Sequence, residues 1–333
     1  MNRTSVTLIL ALPLLGASCT KPEADASYPA CSAAAEACLD RIAIPAANGA
    51  ARNVPFFRNF AIDAPNAAVT RAIIVVHGSD RDAGNYFQTL LTAAQQSGLD
   101  GQTIILSPHF QCGADHVAPG DVRWSCDDPG AWSHGGQESS RAEPPLYSFS
   151  VIDAFVQALA TKTTFPNLGT IVVTGMSAGG QFTQRYAETT AVDPTPGVAL
   201  KYVVLSPSSY AYLDGNRPHG GCAAYDEYPY GLEDRAGYVA IPPVAQLQTQ
   251  YVARSVAYLV GDTDTLANAA GTGMDTSCEA NAQGVDRLAR ARAFWEDMRT
   301  QYQAMHTLAV VPGCEHSRTC MYYSLEGRAA IFP

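Results

Sequence analysis

The stretch TIVVTGMSAGG, residues 170–180, decides how the chain reads. Ile171, Val172 and Val173 form a short β-branched run, which reads as a fully buried strand. Gly175-Met176-Ser177-Ala178-Gly179 follows at once and fits the G-x-S-x-G pattern of a nucleophile elbow. The small residues Gly175, Ala178 and Gly179 let the chain turn sharply, so that Ser177 is expected to sit strained with its Oγ at the top of a sheet. A helix expected over residues 181–190 then aims its N-terminal N–H groups at the same spot, where an oxyanion would form. The five-residue pattern alone also describes an ordinary Gly/Ser turn. Its weight comes from the strand before it and the helix after it.

Outward from this element, apolar strands and helical segments alternate, which predicts an α/β fold with a mainly parallel sheet covered on both faces. Residues 56–62 read as a leading strand, with an antiparallel orientation as one option. Residues 72–76 read as a strand ending in His77-Gly78-Ser79-Asp80. Tyr86, Leu90, Leu91 and Ala94 recur at helical spacing over residues 83–96, and Gly98 closes that helix. Strands are expected at 103–106, 201–205, 256–260 and 308–311, and helices at 146–161, 285–302 and 321–325. A long polar loop spans 108–145, and loops of that length in a compact domain usually have a job or a staple. Residues 207–241 break the rhythm. The region from 210 to 240 holds six of the sixteen tyrosines and reads as an insertion over the C-terminal edge of the sheet, where ligands bind in open α/β folds. Half-buried structural tyrosines are the rival reading.

Three chemistry-bearing residues fall where three strands end, in the chain order Ser177, Asp264, His316. A serine hydroxyl is a weak nucleophile at neutral pH and needs a base within hydrogen-bond reach. His316 can take its proton and return it to the leaving group, and Asp264 can hold the imidazole in the right tautomer. His306 precedes the last strand and is expected at the opposite end of the sheet. Asp262 competes with Asp264 for the acid. Asp264 is preferred because it lies one step further out, where a loop can curl back to the histidine; both also suit a turn. The oxyanion donors are expected to be the backbone N–H groups of Ala178 and of Ser79, in the loop after the 72–76 strand.

Composition narrows the partners. The chain has 333 residues, 47% of them hydrophobic, and a formal net charge of -10. That length suits one large α/β domain. The acidity argues against an electrostatic grip on nucleic acid or anionic lipid. No G-x-G-x-x-G, P-loop or H-E-x-x-H pattern is present, so no nicotinamide, phosphate or metal cofactor is expected.

The N-terminus reads as an export signal over residues 1–18, with Arg3 ahead of an apolar run too short to span a bilayer. Small residues before Cys19 resemble the lipobox of bacterial lipoproteins, which implies lipidation of Cys19 and membrane contact only through that anchor. Ordinary cleavage and free secretion is the alternative. Residues 19–52, rich in Ala and Pro, read as a tether plus a short stapled segment, with the main domain at 53–333. Of nine cysteines, setting Cys19 aside leaves an even number, which in an exported chain suggests disulfides. Eight cysteines allow about a hundred connectivities. Pairing of sequence neighbours is the expectation: Cys31–Cys38, Cys112–Cys126, Cys222–Cys278 and Cys314–Cys320. The first pair fails if residues 30–42 are helical, because seven helical residues rise about 10 Å. No C-x-x-C pair supports a metal–thiolate alternative.

The ordered set of strand-His-Gly, G-x-S-x-G, strand-G-x-x-D and a late G-x-x-H resembles the α/β-hydrolase superfamily over about residues 54–333. Gly175-Met176-Ser177-Ala178-Gly179-Gly180 is similar to the elbow of exported polymer-degrading esterases, the polyhydroxybutyrate depolymerase and feruloyl esterase group. The resemblance implies an exported serine hydrolase that cleaves a small or polymeric carboxylic ester through an acyl-enzyme. The tyrosines, with Trp124 and Trp132, are then candidates to stack on substrate. Peptidase or acyltransferase chemistry on the same fold, and a non-catalytic ligand-binding protein, are the alternatives.

Overall fold

The computed structural model describes residue 1 and residues 31–332, apart from 48, 50, 114, 128–129, 195, 221 and 267–272. The signal segment and Cys19 lie outside the described residues. In chain order the elements are β1 (Leu39–Pro45), β2 (Ala51–Arg58), β3 (Arg71–Val76), α1 (Ala83–Gln96), β4 (Thr103–Pro108), α2 (Ser148–Leu159), β5 (Thr170–Met176), α3 (Ala178–Thr189), β6 (Ala199–Leu205), α4 (Val244–Ala253), β7 (Ser255–Gly261), α5 (Cys278–Gln283), α6 (Arg287–Gln301), β8 (Thr307–Val311), α7 (Arg318–Tyr323) and α8 (Leu325–Ile331).

The strands form one eight-stranded sheet in the order β1-β2-β4-β3-β5-β6-β7-β8. β3 through β8 run parallel. β1 and β2 are antiparallel and close one edge. The β-branched runs pack as their period of two demands: Ile74 and Val76 of β3 face one apolar cluster, Ile73 and Val75 the other. The first cluster holds Phe155 of α2, Phe182 and Tyr186 of α3, Tyr251 of α4 and Phe294 of α6. The second holds Phe87 and Leu90 of α1, Tyr322 of α7 and Ile331 of α8. Helices therefore cover both faces, and the loops at the C-terminal ends of the parallel strands are free to build a site.

One expectation about the periphery needs correction. Residues 39–52, read as tether or stapled segment, supply β1 and the start of β2, so the sheet begins ahead of residue 53. In β1 the half-buried Ile42 and Ile44 alternate with the exposed Arg41 and Ala43, and Asp40 and Arg58 pair across the hairpin at 2.5 Å. The segment around Cys31 and Cys38 is not a long helix. One short 3-10 turn, Glu36–Cys38, precedes β1 and brings the two Cα atoms to 5.7 Å.

All four neighbour pairs of cysteines are bridged, with Cα separations of 5.3 to 5.7 Å. Cys112–Cys126 staples the long loop after β4. Cys222–Cys278 ties the segment after β6 to the start of α5. No helix among the described residues is long and apolar enough to cross a membrane.

Three of the six tyrosines after β6, Tyr210, Tyr212 and Tyr238, are buried in the core, while Tyr225, Tyr228 and Tyr230 are half-buried. Tyr210 and Tyr212 are buried with ring centroids 4.5 and 4.9 Å from that of Phe294. Tyr238 donates to Asp153 of α2 at 2.8 Å, and Tyr230 donates to Asp275 at 2.9 Å. Trp124 and Trp132 are buried too, packed around Phe110. The buried rings of Tyr210, Tyr212, Trp124 and Trp132 serve packing, and so are not placed to stack on substrate.

Candidate active site

The elbow takes the strained form that its small residues allow. Ser177 sits between β5 and α3 at φ 60° and ψ -122°. Gly179 must be glycine because a Cβ there would overlap the carbonyl oxygens of Val76 and His77. That contact lets the first turn of α3 press against the end of β3. The elbow is also laced to β6, with Ser177 N–H donating to Leu205 O at 3.1 Å.

Asp264 and His316 follow β7 and β8. Gly261 closes β7, and a Cβ on it would overlap the Cys314 carbonyl, so the β7 and β8 loops touch directly. Thr263 N–H donates to Cys314 O at 3.2 Å. This lacing brings His316 Nδ1 to 2.9 Å from Asp264 Oδ2. Asp264 is 2% exposed and His316 25%. Burial pushes the Asp264 carboxyl up, but the hydrogen bond with His316 and the charge of Arg287 outweigh it and hold the group below its usual range. Asp262, the alternative acid, accepts from Gly313 N–H at 2.8 Å and so caps the β8 turn. His306 lies at the other end of the sheet, between Tyr258 OH and the Tyr251 carbonyl.

Ser177 and His316 line one cleft of about 360 Å³. Gly78, Ser79, Asp80 and Asp82 form its β3 side, and Ser317, Arg318 and Thr319 its β8 side. Tyr86 is the aromatic residue in this lining. Arg318 is already engaged, with Nη1 2.6 Å from Asp82 Oδ2 and its guanidinium 4.7 Å from the Tyr86 ring centre. Among the described residues, the N–H groups of Ser79 and Ala178 have no hydrogen-bond acceptor. Donors that face no acceptor where the elbow and the β3 loop meet are what an oxyanion hole requires.

His77 is the residue that sequence reading passed over, assigned only to the first loop. It is fully buried, with its ring centroid 4.5 Å from that of Trp132. Phe110 N–H donates to Nε2 at 3.0 Å, so Nδ1 carries the hydrogen and donates to Gly78 O at 2.9 Å. The Gly78 carbonyl and the Ser79 N–H are two ends of one peptide unit, so the ring fixes the plane of that N–H. Burial drives the imidazole down from 6.5 to about 3. The unfolded chain therefore takes up a proton near pH 6.5 that the folded chain refuses until about pH 3. The stability contribution is intact above pH 6.5 and is lost as pH falls toward 3. Relative to His77→Asn, the wild type is expected to lose about 1.4 kcal/mol per pH unit below that point. Urea unfolding of both proteins at pH 7.5, 5.5 and 4.5 measures this. A constant difference across the three would disprove it.

No family model matches the sequence, and no curated protein matches it. Solved structures do match. Poly(aspartic acid) hydrolase-1 from Sphingomonas sp. KT-1 superposes with a TM-score of 0.60 at 22% identity, over 89% of this chain and 98% of that one. This chain has the α/β-hydrolase fold. The LpqC poly(3-hydroxybutyrate) depolymerase from Bordetella parapertussis is a second α/β-hydrolase neighbour, at TM-score 0.56 and 20% identity, covering 83% of this chain and 85% of that one. The α/β-hydrolase fold expected from the elbow and the strand order is thus the fold observed.

Proposed function

We infer that the protein is an exported serine hydrolase that cleaves carboxylic esters, with Ser177 as nucleophile, His316 as base and Asp264 as acid. The observation that carries this reading is the 2.9 Å bond from His316 Nδ1 to Asp264 Oδ2 beside a cleft that also holds Ser177. In the reaction, Ser177 Oγ attacks the ester carbonyl carbon while His316 Nε2 takes its proton. The oxyanion accepts hydrogen bonds from the Ser79 and Ala178 N–H groups. Collapse of the tetrahedral intermediate breaks the C–O bond, and the leaving alcohol takes the proton from His316. Water then attacks the acyl-enzyme, gives a proton to His316, and the acid departs as Ser177 recovers that proton. Throughout, Asp264 accepts from Nδ1–H and remains ionised.

The cleft lining is mostly hydroxyl and charged groups, which suits a short or polar acyl group rather than a long alkyl chain. Export is supported by the four disulfides, which need an oxidising compartment. Anchoring through a lipid on Cys19 belongs to the same proposal.

The test is hydrolysis of p-nitrophenyl acetate, butyrate and palmitate by residues 20–333, with a fluorophosphonate label. The expected result is turnover of the two short esters well above the palmitate, and labelling of Ser177 found by peptide mapping. No turnover together with no label at Ser177 would sink the hydrolase reading and favour a binding role for the cleft.

A further inference from the structure

The Asp264 carboxylate has a second neighbour. Arg287, the first residue of α6, is 1% exposed, and its Nη1 lies 3.5 Å from Asp264 Oδ1. The other oxygen, Oδ2, faces His316. One buried carboxylate thus bridges a guanidinium and an imidazole. An ionised carboxylate so far from water is strongly disfavoured unless a cation or several donors face it. His316 cannot be that cation in the resting state, because a base must be neutral to accept a proton. A guanidinium can be, across the whole working pH range. The backbone adds to the hold, with Leu288 N–H donating to Asp264 O at 3.4 Å, and Asp286 Oδ1 accepting from Ala289 N–H to cap the same turn.

We propose that Arg287 is a positioning residue for the Asp264–His316 pair: its guanidinium keeps Asp264 ionised and its carboxylate aimed at the imidazole while His316 is neutral. This rests on the reading of Asp264 and His316 as acid and base. Burial lowers the Arg287 guanidinium and Asp264 opposes that shift, as expected of two groups that share one dry site. Other charged or titratable groups near the pair are Asp262 and Glu315 beside the two residues in the chain, Arg290 and Asp286 on α6 and Tyr210 after β6, with Arg318, Asp80 and Asp82 along the cleft. Of these charged groups, Arg287 is the one in direct contact with the Asp264 carboxylate.

The sign of the effect follows from charge. Removing a cation beside the carboxylate raises the proton affinity of the Asp264–His316 pair, whichever of the two holds the proton. The experiment is an NMR titration of the His316 imidazole in wild type, Arg287→Met and Arg287→Lys, with the resonance assigned by its loss in His316→Gln. The His316 titration midpoint is expected to rise by about one pH unit in Arg287→Met and to return most of the way in Arg287→Lys. A folded Arg287→Met whose His316 titrates as in wild type overturns the proposal. If Arg287→Met does not fold, the double variant Arg287→Met/Asp264→Asn decides by thermal melting. Recovery of folding in the double variant supports a role through Asp264, and failure of both variants shows a packing role and overturns it. The titration needs no turnover, so it stands apart from the fluorophosphonate test. A shifted midpoint with no label at Ser177 would sink the hydrolase reading and leave the Arg287–Asp264–His316 coupling in place.

Discussion

Replacing Ser177 with Ala is expected to lower kcat for p-nitrophenyl butyrate by about 10⁴- to 10⁶-fold, the range found when a nucleophile is removed from an acting triad. Fluorophosphonate labelling should vanish with it. Stability should hardly change, because Ala keeps the Cβ and with it the backbone strain. Ser177 adopts φ 60° and ψ -122°, a region that costs a residue with a side chain about 1–3 kcal/mol. Ser177→Gly removes both the hydroxyl and the Cβ. Part of that relief is offset by the greater freedom of Gly in the unfolded chain, about 0.5–1 kcal/mol. A net gain of about 1 kcal/mol over Ser177→Ala is expected in urea unfolding. Residual Ser177→Ala turnover within tenfold of wild type would point to another nucleophile. A Ser177→Gly protein less stable than Ser177→Ala would refute the account of strain.

Asp264→Asn should cost about 10⁴-fold in kcat, because an amide cannot hold the imidazole in the tautomer that leaves Nε2 free to accept. It should also destabilise the fold by about 3 kcal/mol, since Arg287 loses the carboxylate it faces in a buried site. Rates should therefore be taken well below the melting temperature of the variant. Asp262→Asn is the matched comparison. Its carboxylate caps the Gly313 N–H and does not reach the imidazole, so it should cost less than about tenfold, one ordinary hydrogen bond. Equal losses from the two substitutions would reverse the assignment of the acid.

The parts of the molecule legible in the sequence are those whose signal is local. β3, β5 and β7 are buried on both faces and carry uninterrupted apolar runs, so a short window suffices to find them. The helix expected over 83–96 matches α1 residue for residue, because a periodic apolar stripe and a closing Gly98 mark both its face and its end. Ser177 and Asp264 follow two such strands, β5 and β7, and His316 follows the apolar run of the edge strand β8, so their order in the chain could be read. β1 was hidden for the opposite reason, and β2 was read with a late start, at 56–62 against the observed Ala51–Arg58. They pair with each other at an edge, and the short alternation in Leu39–Pro45 is too brief to separate from coil. Tyrosines pack as readily as they bind, and nothing local tells Tyr210, buried on Phe294, from a tyrosine at a cleft. Arg287 and His77 were missed because their meaning depends on contacts with distant parts of the chain. An arginine opening a helix reads as a solvated charge until a carboxylate from another loop is found against it.

The order of strands in the sheet carries a lesson for handling the protein. The loops that meet at the cleft follow β3, β5, β7 and β8, and β3 and β8 stand four places apart in the sheet. Ser79 and His316 are more than two hundred residues apart along the chain. Parallel pairings of this span are slow to form, because the entropy of closing each loop is spent before any contact repays it. Helices can regain their circular dichroism while the cleft is still unassembled. Recovered activity after refolding should thus lag the far-ultraviolet signal and report completion of the whole sheet, and no cut between residues 79 and 316 should yield a fragment active by itself.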